Sequence, residues 1–375
     1  MKIKVKELSF RGVFSGELGY NDTKQYKVGG CDLGFPLYDE INDKLFLLFG
    51  DTFQENNFKY DWRSNTMCQV KELDKQGRII VDHFLSHLEN KAHVLSEAHH
   101  IDKEEMTRIP TGAICVNGVY YFYYFSMCCW QYEPDERMNM GGLVKSIDGG
   151  KSWEKVNEVS FLNDLNKESA KMLLNEDNNH QPIPNKIDPS KKLNHSFTQI
   201  FPKEKDGYVY LFAEGGYRNN PLRMGRVKKE RIEDYDSYEY LIEYKEGKPV
   251  FRKGDKARIM MHEKKTAVVC NAPMGEMSVI YNPYLKKYCL FTVSSGSVDM
   301  FLSDHIYGPY TDKIHFYSHG QEPAPISSTT GQPIVSAYAP MVHEKMLADG
   351  GKTMYMITSS WIPCYNPSLY EVKFI

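Results

Sequence analysis

No run of apolar residues in this chain approaches the roughly 20 needed to cross a bilayer as a helix, so no membrane span is expected. Nor is there an excess of either charge: 46 basic and 49 acidic residues are well mixed, with a net charge of -3. Without a basic field to hold a phosphate backbone, nucleic acid is not an expected partner. The start, Met1-Lys2-Ile3-Lys4-Val5-Lys6, is basic but has no apolar stretch behind it, so no secretion signal is read. Location stays open between cytoplasm and export with a signal removed. Zinc-binding spacings are missing from the 8 cysteines. Cys115, Cys270 and Cys289 lie in apolar strand-like runs and Cys128-Cys129 are adjacent, which reads as buried reduced thiols rather than disulfides. His83, His87, His93, His99 and His100 cluster locally, but no carboxylate or third ligand is spaced to complete a zinc motif. They read as surface polarity, and neither metal nor cofactor is expected.

What the chain has is a repeat. Across its 375 residues, 41% hydrophobic and 13% aromatic, five segments combine aromatic and β-branched residues in strand-like runs: 44–52, 119–127, 208–216, 287–295 and 353–361. Each follows a turn signal: Asn42-Asp43, Asn117-Gly118, Asp206-Gly207, Leu285-Lys286-Lys287 and Asp349-Gly350-Gly351. Each turn follows another short strand, beginning near Gly30, Pro110, His195, Gly275 and Ala337. The hairpin recurs every 65 to 90 residues or so, which leaves room for two more strands per unit. Four-stranded units repeated about an axis make a propeller. The expected fold is therefore all-β: one five-bladed β-propeller domain over 1–375, with short helical and loop insertions. A sandwich of paired sheets is the rival. Runs such as Tyr120-Tyr121-Phe122-Tyr123-Tyr124-Phe125 are apolar on both faces, as the inner strands of a blade must be.

Ser146-Ile147-Asp148-Gly149-Gly150-Lys151-Ser152-Trp153 resembles an Asp-box, a hairpin turn found on propeller edges, and Asp148 reads as structural. Insertions are expected as a helix over 161–176, a loop over 178–193, and a charged surface segment over 228–256.

The chemistry-bearing residues fall at matching places in the repeat. In Gly30-Cys31-Asp32-Leu33-Gly34 and Phe49-Gly50-Asp51-Thr52-Phe53, the two aspartates occupy opposed ends of the first hairpin. Directly opposed residues of an antiparallel pair lie about 5 Å apart, and like charges that close push one pKa up. One proton donor beside one base is what glycoside cleavage requires. Glu276 begins the fourth hairpin as Asp32 begins the first, and Glu214 ends a third-unit strand as Asp51 does. His195 and Tyr338 take starting positions in the third and fifth. Glu214 could instead pair with Arg218 or Arg223, and His195 could be structural. Trp62, Arg63 and Asn65 follow the Asp51 strand; a forked guanidinium and an indole face suit sugar hydroxyls and a sugar ring. Trp361 ends the fifth hairpin and offers a second face.

At these residues the chain resembles a bacterial domain-of-unknown-function family, numbered four-one-eight-five, whose characterised members include endo-D-arabinanases. The matching stretches are Asp32-Leu33-Gly34-Phe35-Pro36, Leu48-Phe49-Gly50-Asp51-Thr52-Phe53, Arg63-Ser64-Asn65 and Gly225-Arg226-Val227 with Tyr238-Glu239-Tyr240. They continue through Gly275-Glu276-Met277-Ser278-Val279, Asn282-Pro283-Tyr284, Gly308-Pro309-Tyr310, Tyr338-Ala339-Pro340 and the 361–372 tail. The resemblance implies a five-bladed propeller and axial acids, carried onto Asp32, Asp51 and Glu276.

The expectation is thus a monomeric, arabinanase-like glycosidase acting on a furanoside-containing polysaccharide or oligosaccharide, with endo action on arabinan as its finer form. Asp32 is expected as base or nucleophile, Asp51 as acid, and Glu276 as a group that tunes the pair or replaces one member. A sialidase would need an arginine triad and several Asp-boxes, and only one box is present. The alternative is a non-catalytic carbohydrate-binding propeller, a lectin or adhesin, which would keep Trp62, Arg63 and Trp361 without needing both aspartates.

Overall fold

The computed structural model describes residues 3–56, 58–88, 90–321 and 335–375; the first two residues of the basic amino-terminal run lie outside them. Strand β1 (Val5–Val13) precedes a first sheet of β2 (Gly30–Asp39), β3 (Lys44–Phe53), β4 (Thr66–Leu73) and β5 (Ile79–Phe84). The second sheet holds β6 (Thr107–Val116), β7 (Val119–Met127), β8 (Met138–Ser146) and β9 (Glu154–Leu162). A helix, α1 (Lys167–Leu174), leads to the third: β10 (Gln199–Lys205), β11 (Tyr208–Glu214), β12 (Arg223–Lys228), β13 (Glu239–Lys245) and β14 (Lys248–Lys253). After α2 (Asp255–His262) come β15 (Met277–Asn282), β16 (Lys287–Ser294), β17 (Ser297–Ser303) and β18 (Asp312–Ser318). The last sheet contains β19 (Val335–Met341), β20 (Leu347–Ala348), β21 (Thr353–Ile362) and β22 (Asn366–Phe374), and β1 returns to pair with β22. Among the described residues the strands pair antiparallel with their chain neighbours, apart from this closure and the β19–β21 pair, which skips the two-residue β20; the fold is a five-bladed β-propeller.

The chain falls into two compact units. One comprises Met1–Leu95, Gly275–His305 and Tyr310–Ile375, with the first, fourth and fifth sheets; the other comprises Ser96–Met274 and Ile306–Pro309, with the second and third.

Local sequence explains the hairpins. Asn117-Gly118 and Asp206-Gly207 have positive φ at both residues, the geometry whose twist suits a two-residue connection. At Asn42-Asp43 the carboxylate of Asp39 accepts the Ile41 and Asn42 amides at 3.0 and 3.2 Å. The doubly apolar inner strands are buried on both faces. In the second unit, Tyr121 and Tyr123 of β7 pack with Phe197, Val209, Leu211 and Tyr238, and Tyr123 Oη lies 2.9 Å from Tyr238 Oη. Phe122, on the opposite face of β7, meets Trp153 edge-on at 5.2 Å. In the first unit, Ile280, Cys289 and Phe291 pack against Met354, Met356 and Val372. The Asp-box closes β8 to β9 as a structural turn: Asp148 accepts the Ser152 amide at 2.9 Å and the Ser152 hydroxyl at 2.6 Å, and Trp153 Nε1 donates to Gly150 O. Those donors hold the Asp148 carboxyl down at about 2. All eight cysteines are free thiols, seven of them buried.

Several expectations need correction. The charged surface segment expected over 228–256 is no insertion between blades: it supplies β13 and β14, with Tyr238, Tyr240 and Leu241 buried. Its charges are those that an outer blade strand turns to solvent. His195 sits in a short helical turn, His195–Phe197, and β10 starts only at Gln199. The helix expected over 161–176 is shorter, because Phe161 and Leu162 complete β9. The sequence contained no signal that β1 would complete the last blade.

Candidate active site

The first hairpin is irregular where its acids lie. Cys31 pairs with Thr52 and Leu33 with Phe49, so Asp32 alone faces both Gly50 and Asp51 across a bulge. Leu33 then takes φ 70°, a left-handed conformation that a branched side chain rarely adopts, and Ser359 Oγ accepts its amide at 2.8 Å. Gly50 makes room for the acid. A Cβ there would stand 2.5 Å from Asp32 Oδ1, well inside van der Waals contact.

Asp32, Asp51, Glu276 and Tyr338 are all buried in the first unit. Tyr338 donates to Asp32 Oδ2 at 2.9 Å, and Tyr365, in the loop between β21 and β22, makes a second hydrogen bond to the same carboxyl. Asp32 Oδ1 has no hydrogen-bond partner among the described residues. Burial pushes the Asp32 pKa up to about 8, and the nearby charges of Asp51 and Glu276 act in the same direction, against the opposing pull of the two tyrosines. A carboxyl so raised keeps its proton near neutral pH. Asp51 is oriented by Trp62, whose Nε1–H donates to Oδ1 at 2.8 Å.

The residues expected to bind substrate divide into two groups. Trp62 is half-buried and stacks on Phe53 at 5.9 Å, so its indole serves Asp51 as well as the site wall. Trp361 is 37% exposed, stacks on Tyr338 at 4.9 Å and has the His319 ring tilted against it at 5.9 Å. Arg63 is only 3% exposed: it donates to Ala92 O at 2.9 Å, Asp61 O at 3.2 Å and Lys27 O. Asn65 is fully buried and accepts the Leu95 amide at 3.1 Å. Both brace the loop after β3 instead of facing a ligand. Sequence reasoning missed Tyr365, because a tyrosine in an irregular inter-strand loop belongs to no repeat position. It also missed Phe58 and Tyr60, exposed aromatics on the loop that follows β3; Phe58 lies 4.6 Å from the Tyr365 ring.

His195 and Glu214 belong to the second unit. His195 is buried, and its Nε2 lacks a hydrogen-bond partner among the described residues although Asp135 Oδ1 is 3.6 Å away. Burial lowers its pKa to about 4, so the ring is neutral at ordinary pH. Glu214 ends β11 and its Oε1 accepts the Arg218 amide at 3.2 Å. The Arg223 guanidinium is directed at Thr266 and Lys264 carbonyls.

A family model described as "Domain of unknown function (DUF4185)" matches residues 18–372, nearly the whole chain. The chain belongs to the DUF4185 family. Among solved structures, this DUF4185 chain is similar to a "putative hydrolase" from Bacteroides ovatus, at 13% identity and TM-score 0.54 over 92% of this chain and 86% of that one. It is also similar to a GH43_1 enzyme from Xanthomonas citri, at 13% identity and TM-score 0.45 over 94% and 91% of the two chains. A third is an exo-beta-1,3-galactanase from Phanerochaete chrysosporium, at 8% identity and TM-score 0.45, covering 97% of this chain and 64% of that one. At such identities the first likeness concerns the fold alone, and the other two carry no argument. No curated protein matches the sequence.

Proposed function

We propose that this DUF4185 chain is a glycoside hydrolase acting on a furanoside-containing glycan, with arabinan the leading candidate. The observation that carries the reading is Asp32, a carboxyl in a bulge beside Asp51, still protonated at neutral pH. In this mechanism the Asp32 proton passes to the glycosidic oxygen as the C–O bond breaks. Asp51, held by Trp62, takes a proton from the attacking water or attacks the anomeric carbon itself. Glu276 keeps the Asp32 proton on by its negative charge. Tyr338 and Tyr365 stabilise the Asp32 carboxylate that forms when the proton leaves. Trp361, Phe58 and Tyr60 offer apolar faces to sugar rings. The arabinan assignment rests on the family resemblance, and one compact chain acting as a monomer completes the proposal.

The deciding experiment is a screen of the purified chain on arabinans, arabinogalactan and aryl furanosides, repeated with Asp32→Asn and Asp51→Asn. An enzyme of this kind loses turnover by roughly 10²–10⁴-fold in each variant while still binding glycan. A chain that binds glycan with no turnover before mutation is a lectin, and the hydrolase reading then fails.

A further inference from the structure

The second unit holds a cluster of imidazoles and carboxylates that the proposed reaction does not use. His99, Glu105 and His180 each offer a donor atom, and the three lie within 4.8 Å of one another. The His99 and His180 rings meet at 3.9 Å between centroids. Glu176 Oε2 stands 2.9 Å from His99 Nε2 and 3.8 Å from His180 Nδ1, within reach of a fourth position. Only His99 and its neighbours were legible as a group in the sequence. The carboxylate and the second imidazole that complete the set arrive from chain 6 to 81 residues further on.

From this geometry we propose that His99, Glu105 and His180, with Glu176, form a binding site for a divalent transition cation of the zinc class. Donors at about 2.0–2.2 Å from such an ion stand roughly 3.4 Å apart in a tetrahedron, so small side-chain rotations bring this set to bonding distance. Two imidazoles favour zinc, cobalt or nickel over calcium or magnesium, which prefer all-oxygen shells. The charge balance suits a cation. Glu105 and Glu176 both stand in the cluster, and Arg108 is held on Glu105. Lys155 is buried nearby, and its ammonium group donates to the Glu176 carbonyl at 3.0 Å and not to the carboxylate.

Arg108 is the group to reconcile, since its Nη2 lies 3.4 Å from His180 Nδ1. It has its own anchors. It bonds both oxygens of Glu105, donates to Ser96 Oγ at 3.2 Å, and lies over the Tyr124 ring at 5.8 Å. These hold the guanidinium, and through it Glu105, whether or not His180 turns towards a metal. Such an outer partner fixing a ligating carboxylate is the usual companion of a metal ligand. The ion would tie the segment before β6 to the loop after α1, which Ser96 Oγ already joins through Asn178 at 2.5 Å.

The test uses the full chain, stripped with a chelator and titrated with zinc chloride by calorimetry. One zinc per chain, with affinity at least tenfold weaker in His99→Gln and in His180→Gln, supports the site. No binding, or undiminished binding in the double variant, overturns it. Should the variants fail to fold, cobalt titration of the unaltered chain decides. Intense visible d–d bands of four-coordinate nitrogen and oxygen ligation support the proposal, and their absence sinks it. A failed hydrolase assay leaves this outcome untouched, because the readout is metal binding alone.

Discussion

At the scale of single residues, the protonation of Asp32 governs what can be measured. Its folded pKa, about 8, lies above the ordinary 3.8, so the folded state holds a proton that the unfolded chain has released between those values. The associated stability is complete below pH 3.8 and is lost as pH rises through about 8. Asp32→Asn removes that loss. Its unfolding free energy relative to the unaltered chain should therefore climb between pH 4 and pH 8 in urea titrations, and a flat difference would contradict the assignment. Tyr338→Phe removes a donor that favours the carboxylate form, so the alkaline limb of kcat/KM should move to higher pH while turnover falls. Trp361→Ala, which removes the part-exposed indole stacked on Tyr338, should raise KM by a few-fold to about tenfold with little change in kcat. Asp32 and Asp51 were legible at this scale because glycines flank both and a hairpin separates them. Arg63 was misread. A guanidinium beside a site looks like a ligand for sugars until its carbonyl partners on Lys27 and Ala92 are seen, and those come from distant chain.

At the scale of the element, the decisive piece is the bulge between β2 and β3. Gly50 faces Asp32 so closely that an added methyl must displace the carboxyl. Gly50→Ala should cost turnover roughly 10²-fold, the typical price of misplacing a reacting group by an ångström, with an unchanged circular dichroism spectrum. The hairpins themselves could be read from the chain, because aromatic runs bounded by Asn-Gly and Asp-Gly turns have few other ways to fold. The bulge could not. One extra residue in a strand leaves no mark on composition, and only the pairing of Cys31 with Thr52 and Leu33 with Phe49 reveals it. The outer strands β13 and β14 were hidden for a related reason. An edge strand half exposed to water carries the same charges as a loop.

At the scale of the molecule, the blade count followed from the spacing of the repeats, while the closure by β1 did not, because it joins residues at opposite ends of the chain. Val5 pairs with Phe374 and Val13 with Ser368. Removal of 1–13 should bare the β22 edge and lower Tm by more than about 10 °C in a calorimetric scan, given a few degrees per kcal/mol for a chain of this size. Absence of disulfides has its own readout. Dithiothreitol should leave Tm unchanged, since burial raises thiols such as Cys31 to about 12 and none is crosslinked.

The pairing of β1 with β22 also sets the order of assembly during translation. More than 350 further residues must be made after β1 before its partner β22 exists to cover it. Such long-range closure slows folding. A chain stalled before β22 would leave that strand edge open to pairing with other copies.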